Sequence, residues 1–253
     1  MKENISNIED LMYDIISLLH NLKVPMAFKG ALILKMHIRQ TLSGASRFTQ
    51  DIDANWIGGR ISDQEILTKI NDCLKTYKKI KLTAKMKRSS GTNRSVGFVV
   101  YHGDFPVFNI DISLSGNQMY SDFLMPNGTI ITAVTKENIY IDKCCAISGN
   151  KIFRRIKDFF DLYQLSYLEG FSLENLVDNI NSRPEKSCGD FYDFLNKIEG
   201  KQGIKHAYEM FGGIEEKPDF AEVYSRVQSF CMPFIQKTFG IAKWSVKGMV
   251  WIL

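Results

Sequence analysis

Apolar residues recur at helical spacing near the start of the chain, as Ile8, Leu11, Met12, Ile15, Ile16, Leu18 and Leu19, which predicts an amphipathic helix over residues 5–22. Pro25 interrupts it, and Met26-Ala27-Phe28 reads as a short buried strand. Gly30 follows, and helical character resumes over residues 31–41. Residues 51–57 read as a second strand, bounded by Gly58-Gly59, and residues 63–77 as a helix with Ile66, Ile70, Cys73 and Leu74 on one side. Three strands are expected at 79–88, 95–102 and 106–114, joined by Ser89-Ser90-Gly91-Thr92-Asn93 and by Gly103-Asp104, both good hairpin connections. A further short strand falls at 129–133. Thr135 then reads as a helix N-cap and Gly149-Asn150 as a stop. Helices are predicted at 136–148, 154–168, 172–181, 189–199, 202–211 and 218–239. The pattern is α+β: a mixed sheet flanked by helices over residues 1–134, followed by an all-helical region over 135–253.

Composition changes this picture little. The 253 residues, 45% hydrophobic and 24% charged, suit a packed globular protein rather than a disordered one. A net charge of +4 permits a polyanionic partner without requiring one. The five cysteines, Cys73, Cys144, Cys145, Cys188 and Cys231, lack metal-ligand spacing and read as reduced thiols of a cytoplasmic protein. The polar start and the acids Glu9, Asp10 and Asp14 do not make a signal peptide, and no apolar run reaches membrane-spanning length. The apolar residues 249–253 are expected to dock on the core. None of His20, His37, His102 and His206 has the context of a hydrolase triad.

Candidate chemistry lies in four places. Lys29-Gly30-Ala31 joins a strand to a helix, where a glycine admits close backbone approach and the helix start offers N–H groups to phosphate; the alternative is a glycine needed only for the turn. In Arg47-Phe48-Thr49-Gln50-Asp51-Ile52-Asp53, two aspartates on one strand face share a side, with Cα atoms roughly 6.5–7 Å apart. Like charges so close repel unless a cation neutralises them; the alternative is a solvated strand end. Asp111 alternates with Ile110 and Ile112 in an apolar strand. Were that strand to lie beside the one carrying Asp51, three carboxylates would converge and suit two magnesium ions; the alternative is a wet edge strand. In the helical half, Lys143 shares a stripe with Ile139, Ala146 and Ile147, so it needs a partner such as a triphosphate, or snorkels outward. Beyond it, Arg154–Asp158 and Lys157–Asp161 are spaced as ordinary surface i,i+4 pairs.

Taken in order, Gly30, Arg47-x-Thr49-x-Asp51-Ile52-Asp53, Asp111, Lys143 and Arg154-x-x-Lys157-Asp158-x-x-Asp161-Leu162-Tyr163 resemble the AbiEii/AbiGii-type nucleotidyltransferase toxin family of bacterial abortive-infection and toxin–antitoxin systems. The resemblance spans about residues 25 to 168. It implies a polymerase-β-like nucleotidyltransferase core, with the helical region completing the active-site cleft. It implies that Asp51 and Asp53 bind magnesium with Asp111 as third carboxylate, and that Asp158 is a further functional carboxylate. Lys143 would contact the triphosphate, with Lys29, Gly30, Ala31, Arg47, Thr49 and Lys157 around the nucleotide. Ala31 stands where the family often has a small hydroxyl or a second glycine, so this position offers phosphate no side-chain hydroxyl.

These residues imply attack of an acceptor hydroxyl on the α-phosphorus of an NTP, with pyrophosphate leaving. Residues 75–94 hold eight Lys or Arg and no acid. There Lys79, Lys81, Lys85 and Lys87 alternate with Ile80, Leu82, Ala84 and Met86, and Arg88 follows, which predicts a strand with a basic stripe suited to a phosphate backbone. The alternative is a lysine-protected edge strand. The family's habit points to RNA, often a tRNA 3′ end, as acceptor, and to a separately encoded antitoxin as partner. Two rivals remain: a non-catalytic nucleotide-binding regulatory protein, and a nucleotidyltransferase acting on a small molecule.

Overall fold

The computed structural model of the chain describes residues 7–39, 47–91, 94–114, 118–147, 155–181, 198–214, 216–236 and 240–253. The chain divides into two compact units. The first comprises Met1–Ile33, Thr49–Gly116 and Tyr120–Val134, the second Leu34–Phe48, Asn117–Met119 and Thr135–Leu253.

In the first unit, α1 (Ile8–Asn21) starts at Asn7, whose side chain accepts from the backbone of Glu9 and Asp10. The strands are β1 (Met26–Lys29), β2 (Asp51–Trp56), β3 (Leu82–Arg88), β4 (Ser95–His102), β5 (Phe105–Ser113), β6 (Tyr120–Leu124) and β7 (Ile130–Val134). Helix α2 (Gly30–Arg39) follows β1 directly, and its residues from Leu34 onward belong to the second unit. Helix α3 (Asp63–Thr76) opens with a reciprocal capping box between Ser62 and Glu65. The seven strands form one mixed sheet in the order β3-β4-β5-β2-β1-β7-β6. Strand β2 pairs antiparallel with β1 and parallel with β5, so the Asp51 strand does lie beside the Asp111 strand. Ile52, Ala54, Ile110, Ile112, Val96, Phe98 and Val100 are fully buried, and α1 and α3 pack on the sheet. Apolar burial of this extent is the main term that favours the unit's fold.

The second unit contains α4 (Lys136–Ile147), α5 (Ile156–Leu165), α6 (Leu173–Asn181), α7 (Ile198–Met210) and α8 (Phe220–Gln236). Helix α4 is buried on most sides, through Ile139, Tyr140, Ile141, Cys144 and Ile147, and packs against α5 and α6. Tyr140 meets Phe230 edge-on at 4.9 Å, and Phe171 meets Phe230 at 5.1 Å, so one aromatic cluster ties α4 to α8. Thr135 caps α4 as expected, accepting from the Asn138 N–H at 3.4 Å.

Three expectations need correction. Residues 202–211 are not a separate helix, because α7 runs unbroken from Ile198 through Gly200 to Met210; residues 189–197 lie outside the described residues, as do Gly149 and Asn150. The helical region also ends on a hairpin, β8 (Lys243–Ser245) with β9 (Val250–Ile252). The tail docks only in part: Trp251 stacks on Phe230, while Leu253 is fully exposed. Strand β6 is not foreseen by the pattern, since its residues are mostly exposed and do not alternate.

Candidate active site

The β2–β5 register builds the site in the first unit. Asp51 stands opposite Asn109, Asp53 opposite Asp111, and Asn55 opposite Ser113, giving three polar rungs on one face. In-register neighbours on adjacent strands sit about 4.8 Å apart. All three carboxylates are half-buried, whereas the intervening Ile52, Ile110 and Ile112 point away and are buried. The rungs are hydrogen-bonded: the Asn109 amide donates to Asp51 Oδ1 at 2.8 Å, and Lys29 donates to Asn55 Oδ1 at 2.6 Å and to Ser113 Oγ at 3.0 Å. Arg88 donates to Asp111 Oδ1 at 2.8 Å.

Two glycines make this face possible. Gly30, at φ +76°, lies so close to Asp53 that a Cβ there would be 2.3 Å from its Oδ2. Gly97 sits opposite Asp111 on β4, and a Cβ there would be 2.8 Å from Asp111 Oδ1. The carboxylates of Asp53 and Asp111 thus take the volume that side chains at these two positions would fill. With the side chains as they stand, no three His, Cys, Asp or Glu residues among the described residues are grouped to hold a metal ion. Asp51 Oδ1 is engaged by Asn109 and Asp111 Oδ1 by Arg88. The donor set nevertheless fits a hard divalent cation: three carboxylates on one face, at adjacent register positions.

The second unit holds a different cluster. Asp161 is fully buried and accepts a forked pair of bonds from Arg47, at 2.6 and 2.9 Å, while Lys143 lies 2.7 Å from its Oδ2. Lys143 also donates to Asp158 Oδ1 at 2.9 Å, and Arg155 stands 3.7 Å from Asp158 Oδ2. Burial pushes the Asp161 carboxyl up, but the Lys143 and Arg47 charges outweigh it and hold its pKa at about 2. Burial pulls the Lys143 ammonium down, and the two aspartates outweigh it in turn, so its pKa is raised.

This cluster revises several sequence expectations. The partners of Lys143 are Asp158 and Asp161, so neither a triphosphate nor outward snorkelling is needed to explain its position. Asp158 and Asp161 are not surface residues: both are buried, and Asp161 binds Arg47 and Lys143. Lys157 is exposed, and Arg154 lies outside the described residues. Arg47, expected beside the nucleotide, has its guanidinium engaged by Asp161. Thr49 is buried, and so is Ala31, next to Gly30 at the start of α2.

The basic segment also differs from expectation. Strand β3 begins at Leu82, so Lys79 and Lys81 precede it, and Lys79 is bound to Asp14 at 2.7 Å. Met86 is exposed rather than buried. Strand β3 is a sheet edge, with Lys85 over the Tyr101 ring at 4.9 Å and Lys87 donating to Asn109 at 3.2 Å.

A model of the AbiEii family, nucleotidyl transferase toxins of Type IV toxin–antitoxin systems, matches residues 11–226. The chain belongs to that family. Nucleotidyl transfer is accordingly its enzyme class. No curated relative matches the sequence itself. Among solved structures, JHP933 from Helicobacter pylori is 16% identical with a TM-score of 0.57, the match covering 94% of each chain. MenT4, a nucleotidyltransferase toxin from Mycobacterium tuberculosis, is 12% identical with a TM-score of 0.54, covering 90% of this chain and 82% of its own. At such identity the likeness shows a shared fold.

The AbiEii match takes in the whole carboxylate face and the Lys143 cluster. Sequence reasoning missed Gly97 as part of the carboxylate face and gave Arg88 a different task. A glycine inside an otherwise β-branched and aromatic strand, Val96 to Val100, was the available signal for the first. The Arg88–Asp111 pair had none, since it depends on strand order. No helix among the described residues is long and apolar enough to cross a membrane.

Proposed function

We propose that the chain transfers a nucleoside monophosphate from an NTP to an acceptor hydroxyl on RNA, with a tRNA 3′ end as the favoured acceptor. It does so as the cytoplasmic toxin of a pair whose antitoxin is separately encoded. The observation that carries the catalytic part is the β2–β5 register, which sets Asp53 beside Asp111 on one face, with Gly30 and Gly97 making room for the two carboxylates. The roles below rest on the first unit alone.

Asp51, Asp53 and Asp111 would hold magnesium, two ions in the sequence-based expectation. When bound, magnesium supplies positive charge against the triphosphate and the leaving pyrophosphate. The chain's own groups do the rest. The backbone at Gly30, opening α2, offers N–H donors to phosphate. The acceptor hydroxyl attacks the α-phosphorus, a new P–O bond forms as the α–β bridging bond breaks, and pyrophosphate departs. We assign Asp111, the carboxylate contributed by β5, to receive the hydroxyl proton. Lys85 and Lys87, on the β3 edge, meet the RNA backbone.

The test is transfer of label from each α-labelled NTP into total RNA with magnesium. Wild-type protein is expected to label RNA, and Asp53→Asn to lose at least about a hundredfold of that rate, as removal of a key charge-stabilising group does, while its circular dichroism stays native. Wild-type rates from Asp53→Asn would falsify the carboxylate assignment. Label on a small molecule instead of RNA would replace the acceptor, and nucleotide retained without transfer would mark a binding protein.

A further inference from the structure

The carboxylate face already contains a cation. Strand β3 carries one extra residue against β4 at a bulge between Met86 and Arg88, so that Met86 pairs with Phe98 and Arg88, not Lys87, pairs with Gly97. Gly97 in turn pairs with Asp111, and Asp111 with Asp53. Arg88 and Asp111 are therefore two strands apart, about 9–10 Å between backbones. The guanidinium reaches Asp111 Oδ1, at 2.8 Å, across a strand that carries no side chain at the crossing. Bulge and glycine act together: without the first, Lys87 would face Gly97, and without the second, a methyl group would press on the very oxygen that Arg88 binds.

We infer that Arg88 is a resident counter-cation for Asp111. It neutralises the carboxylate face in the empty enzyme, is displaced when a divalent cation loads, and then pairs with phosphate of the incoming nucleotide. The inference rests on the reading of Asp51, Asp53 and Asp111 as the cation-binding set. Three aspartates crowded on one face repel one another, and a neighbouring positive charge relieves that. The pair is also built to be released. The Arg88 side chain is 49% exposed and that of Asp111 30%, the range in which ion pairs are weak and readily screened. The Asp161 pairs, with no exposed surface on the carboxylate, are the opposite case and stay made. A parallel link runs from Lys87 to Asn109 and from the Asn109 amide to Asp51. Two of the three carboxylates are thus reached from the basic edge strand, and cation loading frees basic groups on the side where phosphates arrive.

The test is manganese binding to the full chain without nucleotide, read from the free-ion signal by electron paramagnetic resonance. Binding of manganese complexes of the four nucleotides with a non-hydrolysable α,β bond is measured alongside. Arg88→Met should bind manganese about fivefold more tightly than wild type, since a competing positive charge is gone, yet bind the manganese–nucleotide complex more weakly. Arg88→Lys, which keeps the charge, should stay near wild type in both. Unchanged or weaker manganese binding by Arg88→Met would mean that the arginine merely braces Asp111, and would overturn the inference. Undiminished nucleotide binding by that variant would overturn the hand-over to phosphate. If Asp53→Asn binds manganese as wild type does, the carboxylate reading itself fails, and this inference with it.

Discussion

Single atoms decide how the two charged centres behave. At Gly30 a methyl group would meet Asp53 Oδ2 at 2.3 Å, on a backbone at φ +76° that L-residues rarely adopt. Gly30→Ala is expected to cost about 1–3 kcal/mol of stability, and to abolish label transfer even where the protein remains folded. Urea melts alongside the transfer assay separate the two effects. Asp161 makes a different prediction. Its folded pKa of about 2 lies below the ordinary 3.8, so the stabilisation is complete above about pH 5 and is lost as pH falls toward 2. The difference amounts to about 2 kcal/mol. Lys143, raised in the fold, acts oppositely and loses its contribution only as pH climbs past the lysine range. Asp161→Asn leaves Arg47 and Lys143 buried without their shared carboxylate, and should cost about 3–5 kcal/mol at pH 7 while flattening the acid limb of the wild-type profile. Urea midpoints between pH 2.5 and 7 check both. The sequence shows Asp161 as an acid at i,i+4 from Lys157, and nothing local distinguishes that from a surface pair. Its true partners are 18 and 114 positions away.

The legible elements are those whose signal is local. Helices α1 and α3 carry apolar stripes and side-chain caps, and β2 and β5 carry the alternation that places Asp51, Asp53 and Asp111 on their strands. Their convergence is conditional on β2 lying next to β5, which no local pattern encodes and the sheet order supplies. Elements without a strong period escape such reading. Strand β6 is an exposed edge, and α7 passes through Gly200, where helix propensity falls by about 1 kcal/mol relative to alanine but tertiary packing offsets it. Strand β3 is shorter than its pattern suggests, because the lysine alternation continues through residues 79–81, outside the ladder. If its basic groups bind an RNA backbone, Lys85→Gln with Lys87→Gln should weaken RNA binding at every sequence. It should also lower the slope of log affinity against log salt by about 0.7 for each single-stranded phosphate that is no longer neutralised. Lys79→Gln, whose partner is Asp14, should leave that slope unchanged. Fluorescence anisotropy across a salt series reads the slope, and equal slopes in all three proteins would remove β3 from the RNA interface.

At the scale of the whole molecule, the family match and the folded core end in different places. The match stops at residue 226, yet the second unit's interior continues into the terminal hairpin. Trp244 is buried and donates its indole N–H to the Ser166 carbonyl at 2.7 Å. Arg226, also buried, donates to the Ser166 hydroxyl at 2.6 Å and to its carbonyl at 3.0 Å, with its guanidinium 3.5 Å from the Tyr167 ring centroid. Phe230 packs against both indoles, at 4.8 Å from Trp244 and 6.1 Å from Trp251, which themselves lie 5.7 Å apart. A hairpin of two three-residue strands has no stability of its own, so it is held by these interactions and closes the C-terminal end of α5 in return. Removing residues 243–253 strips a buried tryptophan and exposes the Ser166 carbonyl's neighbours, which is expected to cost more than about 3 kcal/mol. Removing only Ile252 and Leu253, which are 54% and 102% exposed, should change stability by less than about 1 kcal/mol. Thermal and urea melts of the two truncated proteins against the full chain compare these directly. If the longer deletion melts like the wild type, the hairpin is an appendage and the second unit's core ends, as the family match does, within α8.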